Sequence, residues 1–129
     1  MMRLFLVVDD APIIRKVAER ILSDLGYSVV EAENGYVALE KARRELPYAV
    51  FIDWDMGSMS GLEFLEEFNK IPGSNLCKKI YCTSEISVPN MTKAKRMGVD
   101  GFLMKPFNRE IVVHKLHEMG LLENGTIAA

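Results

Sequence analysis

The sequence is poor in cysteine, has no excess of charge of one sign and has no long apolar run. Its only cysteines are Cys77 and Cys82, too few for a disulfide scaffold, so we expect a reducing, cytoplasmic environment. Lysine and arginine total 16 against 18 acidic residues, which argues against a nucleic-acid binder that depends on broad positive charge. No apolar stretch approaches the ~20 residues that cross a bilayer, and the amino terminus lacks a signal-peptide cleavage site. We therefore expect no nucleic-acid and no membrane partner.

Apolar runs of strand length alternate with stretches of helical periodicity along the chain. Residues 4–8 and 49–52 are apolar without interruption, which is typical of parallel strands buried on both faces. Residues 27–30, 79–82 and 101–104 are weaker strand candidates. Strict alternation predicts an α/β fold, a doubly wound (βα)5 domain with a parallel sheet, right-handed crossovers and helices on both faces. We expect residues 1–120 to form this domain and residues 121–129 to form a tail, with no output domain.

Polar side chains follow four of the five predicted strands. Asp9 and Asp10 follow the first strand, Asp53 the third, Thr83 the fourth and Lys105 the fifth. The carboxyl ends of parallel strands share one edge of a sheet, and ligands of open α/β sheets bind there. Three carboxylates in one place repel unless a cation compensates them, and hard oxygen ligands favour Mg²⁺ or Mn²⁺. With a lysine and a threonine for phosphoryl oxygens, these are the parts needed to make an aspartyl phosphate.

Four motifs follow one another along the chain: Val7-Val8-Asp9-Asp10, Asp53-Trp54-Asp55-Met56 with Gly61-Leu62-Glu63, Thr83-Ser84, and Gly101-Phe102-Leu103-Met104-Lys105-Pro106-Phe107. In this order and spacing they make the chain resemble the receiver domains of response regulators, and most closely their single-domain members. The resemblance covers about residues 3–119. It implies a flavodoxin-like fold with strand order 2-1-3-4-5.

The resemblance also implies a phosphoacceptor and a metal site. Asp53 would accept a phosphoryl group from a sensor histidine kinase or a phosphotransfer protein. Asp10 and Asp53 would ligate Mg²⁺ directly, Asp9 would act largely through water, and the backbone carbonyl of Asp55 would complete the protein ligands. Such a receiver catalyses its own phosphorylation and dephosphorylation and does not turn over small substrates.

A second set of residues would bind the phosphoryl group and respond to it. Thr83 and Lys105 would bind its oxygens, Thr83 and Phe102 would act as the switch, and the Lys105-Pro106 bond is expected to be cis. Output would pass through the face of helix 4, strand 5 and helix 5 to a downstream protein target, either a motor switch or a relay protein. Lys93, in helix 4, belongs either to that partner surface or simply to a solvated face.

Four positions depart from the family pattern. Asp55 adds a carboxylate two residues after the acceptor, and we expect it to affect the bound ion and the lifetime of the phosphoryl group. Glu85, two residues after Thr83, is expected to add negative charge at the rim of the site. Gly57 replaces a usual proline, which predicts a more mobile loop. Phe102 replaces a tyrosine, so this position has no hydroxyl that could form a hydrogen bond on switching.

Two other functions compete with the receiver hypothesis. Asp53-Trp54-Asp55 also resembles the nucleophile motif of haloacid-dehalogenase-type phosphohydrolases, which use Mg²⁺. In that family the Asp-x-Asp motif comes first and the acidic pair last, whereas here Asp9 and Asp10 precede Asp53. A degenerate receiver that acts as an unphosphorylated scaffold is the other alternative. The intact Asp10, Asp53, Thr83 and Lys105 argue against it.

Overall fold

The computed structural model describes residues 2–122, which form one five-stranded parallel sheet in the order β2-β1-β3-β4-β5. The predicted (βα)5 fold and its strand order are confirmed. The strands are β1 (Leu4–Val8), β2 (Ser28–Ala32), β3 (Ala49–Asp53), β4 (Lys78–Thr83) and β5 (Gly101–Met104). The helices are α1 (Pro12–Asp24), α2 (Gly35–Arg44), α3 (Gly61–Phe68), α4 (Val88–Arg96) and α5 (Arg109–Glu118), with a 3₁₀ turn at Ser74–Leu76 before β4.

Two apolar layers, one on each face of the sheet, hold the domain together. Successive residues of a strand point to opposite faces, so Phe5 packs on one side and Leu6 on the other, and both are buried. Helices α1 and α5 cover the first face, and α2, α3 and α4 cover the second. Burial on both sides explains why β1 and β3 have continuous apolar sequences.

The observed elements differ from the predicted ones mainly at their ends. Strand β2 runs to Ala32, beyond the predicted end at residue 30, because Glu31 and Ala32 continue the parallel pairing with Val7 and Val8. Helix α2 ends at Arg44, and Leu46 lies beyond it, packed against the apolar layer on that face of the sheet.

Polar side chains cap several of the helices that follow the loops. Asn34 accepts a hydrogen bond from the Val37 amide at the start of α2. Ser60 and Glu63 form a capping box at the start of α3, each side chain accepting from the other residue's backbone amide. These caps satisfy amides that a helix leaves unpaired at its first turn. The capping box of α3 also fixes where the loop after β3 ends.

The carboxyl-terminal end of the described chain packs on the domain. Leu121 is buried, and the Tyr27 hydroxyl donates a hydrogen bond to its carbonyl oxygen. Residues 123–129 of the predicted tail lie outside the described residues. Both cysteines are buried free thiols. Between residues 2 and 122, no helix combines the length and apolarity that a membrane span requires.

Candidate functional site: an acidic pocket at the carboxyl edge of the sheet

The pocket forms where the two central strands end. Strands β1 and β3 are neighbours with Val8 opposite Ile52, and Asp9 and Asp53 are the next residue of each chain segment. Strand order therefore brings together two aspartates that are 44 positions apart in the sequence. Both are buried, with 3% and 4% of their surface exposed.

Asp10 completes a group of three carboxylates. One oxygen from each of Asp9, Asp10 and Asp53 lies within 4.8 Å of the others. Asp10 is exposed, whereas the other two aspartates are buried. Such a set is open to solvent on one side and lined by oxygen ligands on the other, which suits a hard divalent cation that keeps part of its hydration shell.

Lys105 supplies positive charge to the same pocket. Its Nζ lies 2.7 Å from Asp53 Oδ1 and 3.0 Å from Asp9 Oδ2. The Lys105 amide donates to the Thr83 carbonyl oxygen at 2.8 Å, so pairing of the ends of β4 and β5 fixes where the side chain begins. Burial lowers the pKa of Lys105, but hydrogen bonds and charge from Asp53 and Asp9 outweigh burial and raise it. The ammonium group therefore stays charged between the two aspartates.

The Asp53 carboxyl has an unusually high pKa for an aspartate. Burial raises it, the hydrogen bond from Lys105 lowers it, and the charge of Asp9 raises it again, which together bring the pKa to about 6. A hydrogen bond from the Asp55 backbone also favours the ionised form. At neutral pH most of the Asp53 carboxyl is still ionised and can act as a nucleophile.

Arg15 holds the backbone of Asp9 in place, and no sequence motif predicts this role. Its Nη1 donates to the Asp9 carbonyl oxygen at 2.7 Å, and its Nε lies 3.3 Å from Glu31 Oε1. The Ala11 amide donates to Asp9 Oδ1 at 2.9 Å. In the sequence, Arg15 is one polar residue among others on an amphipathic helix, so only the fold shows that it holds the pocket.

Thr83 and Asp55 lie beside the three carboxylates without joining them. The Thr83 hydroxyl donates to the Glu85 carbonyl oxygen at 2.9 Å and accepts from the Glu85 amide at 3.2 Å. The Asp55 side chain is exposed in the loop after β3 and is not one of the grouped carboxylates. The Lys105-Pro106 peptide bond is cis, as the resemblance implies.

Phe102, the predicted switch residue on β5, packs against a tyrosine that no sequence motif distinguishes. Phe102 is opposite Tyr81 in the pairing of β5 with β4, and their ring centroids are 6.3 Å apart. Tyr81 also packs edge-to-face on Trp54, at 4.9 Å between ring centroids. In the sequence Tyr81 is an ordinary strand residue, so its position between Trp54 and Phe102 emerges only from packing.

The loop after β3 contains a glycine that the backbone requires. Gly57 has φ +72°, in the left-handed region that glycine adopts readily. Proline fixes φ near −65°, so the proline that is usual in this loop could not replace Gly57 without a change of backbone.

Comparison with known proteins gives one consistent answer. Residues 5–117 match the family model described as the response regulator receiver domain. The chain is 35% identical over 116 residues to the chemotaxis protein CheY1 of Helicobacter pylori strain J99, covering 86% of this chain and 91% of that protein. It is 33% identical over 115 residues to the chemotaxis protein CheY of Thermotoga maritima, covering 88% and 94%.

Solved structures agree with the sequence relatives. The chemotaxis response regulator CheY4 of Vibrio cholerae superposes with a TM-score of 0.87 at 31% identity, covering 92% of this chain and 99% of that one. A CheY-like receiver domain protein of Methanospirillum hungatei gives 0.82 at 29% identity, covering 92% and 93%. Receiver domains of this family generally bind Mg²⁺ at an acidic pocket, and they interact with kinases and downstream targets. The chain belongs to the response regulator receiver domain family and is a CheY-like receiver of two-component signalling.

Proposed function

We propose that Asp53 accepts a phosphoryl group from a phosphohistidine donor, carried by a sensor histidine kinase or a phosphotransfer protein. The observation that supports this most directly is the contact of 2.7 Å between Asp53 and Lys105 inside a group of three carboxylates. A buried carboxylate that stays ionised beside a fixed ammonium group is suited to attack phosphorus and to have the added charge compensated.

The transfer exchanges one bond for another. An oxygen of the Asp53 carboxylate forms a bond to phosphorus as the donor's phosphorus–nitrogen bond breaks. The electron pair of that bond stays on the imidazole nitrogen, which leaves neutral when the other ring nitrogen carries a proton. The product is an aspartyl phosphate, and attack of water on its phosphorus releases inorganic phosphate and restores the carboxylate.

The donor set fits a divalent cation, Mg²⁺ or Mn²⁺. We assign Asp10 and Asp53 as direct ligands, Asp9 as a ligand largely through water, and the Asp55 backbone carbonyl as the remaining protein ligand. Oxygen ligands of this kind, without histidine or cysteine, favour these hard ions over zinc. When bound, the ion supplies positive charge for the phosphoryl oxygens.

Lys105 and Thr83 are proposed to recognise the phosphoryl group once it is attached. Lys105 already touches the acceptor oxygen and needs little movement to reach a phosphoryl oxygen. Thr83 must give up its hydrogen bonds with Glu85 and turn towards Asp53. When Thr83 exchanges its contacts with Glu85 for a contact with the phosphoryl group, the end of β4 changes. This change favours a second conformation of the neighbouring α4, β5 and α5.

The face of α4, β5 and α5 is the proposed output surface. It contains a groove of about 560 Å³ between β5 and α5, lined by Phe102, Met104, Ile111 and other residues of these elements. Met104 and Ile111 are each 42% exposed, so they offer apolar area to a protein partner. The relatives named as chemotaxis proteins support a motor-switch target, and a relay protein is the other candidate.

Incubation with phosphoramidate, a small phosphorus–nitrogen donor, and Mg²⁺ tests the proposal. We expect mass spectrometry to find one phosphoryl adduct on Asp53 in the wild type and none in Asp53→Asn. Asp55→Asn is the matched control, because the same change two residues away leaves the proposed backbone ligand in place and should retain the adduct. An adduct that persists in Asp53→Asn would refute the acceptor assignment. Steady turnover of a phosphomonoester would instead favour the phosphohydrolase alternative.

A further inference from the structure

Tyr81 connects the acceptor strand with the aromatic residue on β5. Its side chain is 1% exposed and packs edge-to-face on Trp54, the residue after Asp53, on one side. On the other side its ring meets Phe102, again edge-to-face. Tyr81 is therefore in contact both with the residue that follows the acceptor and with the aromatic residue on β5.

Among residues 2–122 the Tyr81 hydroxyl has no hydrogen-bond partner, and in that part of the chain it is the one buried side-chain nitrogen or oxygen atom left without one. Tyr27 shows the usual arrangement, since its buried hydroxyl donates to the Leu121 carbonyl oxygen. Buried polar groups are nearly always paired, because an unpaired one loses its hydrogen bonds to water without replacement. The unpaired hydroxyl of Tyr81 therefore raises the free energy of the conformation seen here.

The Asp53 carbonyl oxygen, a potential acceptor, borders the same small space as this hydroxyl. A Cβ built on Gly61 would stand 2.5 Å from the Tyr81 hydroxyl oxygen and 2.7 Å from the Asp53 carbonyl oxygen. Both oxygens thus border the same small space, which is open only because Gly61 has no side chain. Burial and the charge of Asp53 both raise the pKa of the Tyr81 phenol, so the group keeps its proton and is a donor.

We propose that Tyr81 is a positioning residue for the switch, whose hydroxyl gains a backbone carbonyl acceptor at the carboxyl end of β3 when Asp53 is phosphorylated. The unphosphorylated conformation carries an unpaired hydroxyl, and the phosphorylated conformation pairs it. The gained hydrogen bond lowers the free energy of the phosphorylated conformation, and the change of position that forms it moves the Tyr81 ring against Phe102. This proposal depends on the phosphoryl transfer proposed above, and it supplies from β4 the hydroxyl that Phe102 lacks on β5.

The matched variants Tyr81→Phe and Tyr27→Phe test the proposal. Each removes one buried hydroxyl and keeps the ring, but only Tyr27 loses a hydrogen bond present in this structure. Beryllofluoride with Mg²⁺, a mimic of the phosphoryl group, is the ligand, and calorimetry measures its dissociation constant. We expect affinity to fall about tenfold in Tyr81→Phe, whose thermal stability without ligand equals or exceeds that of the wild type. Tyr27→Phe should lose stability and keep wild-type affinity.

The outcomes separate this proposal from the proposed function. Beryllofluoride binding by wild type and Tyr81→Phe with equal affinity would overturn the role of the Tyr81 hydroxyl and leave phosphorylation of Asp53 standing. Failure of the wild type to bind beryllofluoride would overturn both. A purely structural role for Tyr81 would change thermal stability without changing affinity.

A second measurement needs no variant. The chemical shift of the Tyr81 ζ carbon reports hydrogen bonding of the phenol, and we expect it to move when beryllofluoride binds, with that of Tyr27 unchanged. An unchanged Tyr81 signal in the bound protein would refute the proposal, even if Tyr81→Phe did not fold.

Discussion

Lys105 Nζ lies between the two buried aspartates of the pocket, 2.7 Å from Asp53 Oδ1 and 3.0 Å from Asp9 Oδ2. One ammonium group thus faces two carboxylates, with Asp10 as a third negative charge nearby. The pocket has more negative than positive charge, so it attracts a further cation. Lys105 and a divalent ion would together compensate the negative charge of Asp53.

Replacement of Lys105 by methionine should lower the stability of the metal-free protein and raise its affinity for Mg²⁺. Loss of the ammonium group leaves buried carboxylates uncompensated, so we expect the free energy of unfolding without metal to fall by about 2–4 kcal/mol. Removal of a positive charge beside the ligands should tighten Mg²⁺ binding. Urea unfolding and a Mg²⁺ titration measure the two effects. Weaker Mg²⁺ binding in Lys105→Met would contradict this electrostatic account.

Stability of the metal-free protein should depend on pH through Asp53. Its pKa rises from 3.8 to about 6 on folding, so the folded chain holds the proton more tightly than the unfolded chain. The resulting stabilisation is complete below about pH 4 and is lost as the pH rises to about 6, a fall of about 2–3 kcal/mol. Urea unfolding at several pH values measures it.

The matched variants for this pH dependence are Asp53→Asn and Asp55→Asn. Asp53→Asn removes the titrating carboxyl and should abolish the fall between pH 4 and 6. Asp55→Asn removes an exposed carboxyl and should keep it. An unchanged slope in Asp53→Asn would show that another group titrates in this range.

Trp54, the only tryptophan in the sequence, should report Mg²⁺ binding. It follows Asp53 and is half-buried, so its fluorescence is sensitive to changes beside the acceptor. We expect a saturable change with Mg²⁺ in the wild type and at least tenfold weaker binding in Asp10→Asn, which loses a proposed direct ligand. Asp24→Asn, an exposed aspartate at the end of α1, is the control. A response that did not depend on Asp10 would refute the ligand assignment.

The sequence predicts the alternation of strands and helices because continuous apolar runs and helical stripes are local patterns. It does not determine which strands are neighbours, and only the family resemblance implies the order 2-1-3-4-5. The meeting of Asp9 and Asp53 depends on that order. Strand ends alone indicate that both aspartates lie at one edge of the sheet, and the neighbouring positions of β1 and β3 bring them into contact.

Arg15 and Tyr81 could not be predicted because their roles depend on contacts between distant elements. Arg15 is a common residue on a helix surface until the fold places it on the Asp9 carbonyl. Tyr81 is a strand residue whose unpaired hydroxyl becomes apparent only once all its neighbours are in place. Gly57 is the opposite case. The sequence shows that glycine replaces the usual proline there, and the positive φ of Gly57 gives the backbone reason for that difference.

Arg15→Gln should weaken the hold on Asp9, although Arg15 is not one of the grouped residues of the pocket. The variant loses the 2.7 Å hydrogen bond to the Asp9 carbonyl oxygen and the contact with Glu31. Since the donor is charged and the side chain largely buried, we expect the free energy of unfolding to fall by about 1–2 kcal/mol. Mg²⁺ affinity should fall a few-fold, because Asp9 is held less firmly.

Arg20→Gln is the control, because Arg20 is an exposed arginine on the same helix, and this variant should change neither quantity. A double-mutant cycle of Arg15→Gln with Glu31→Gln isolates the contribution of the ion pair. Equal behaviour of Arg15→Gln and Arg20→Gln would mean that Arg15 does not position Asp9.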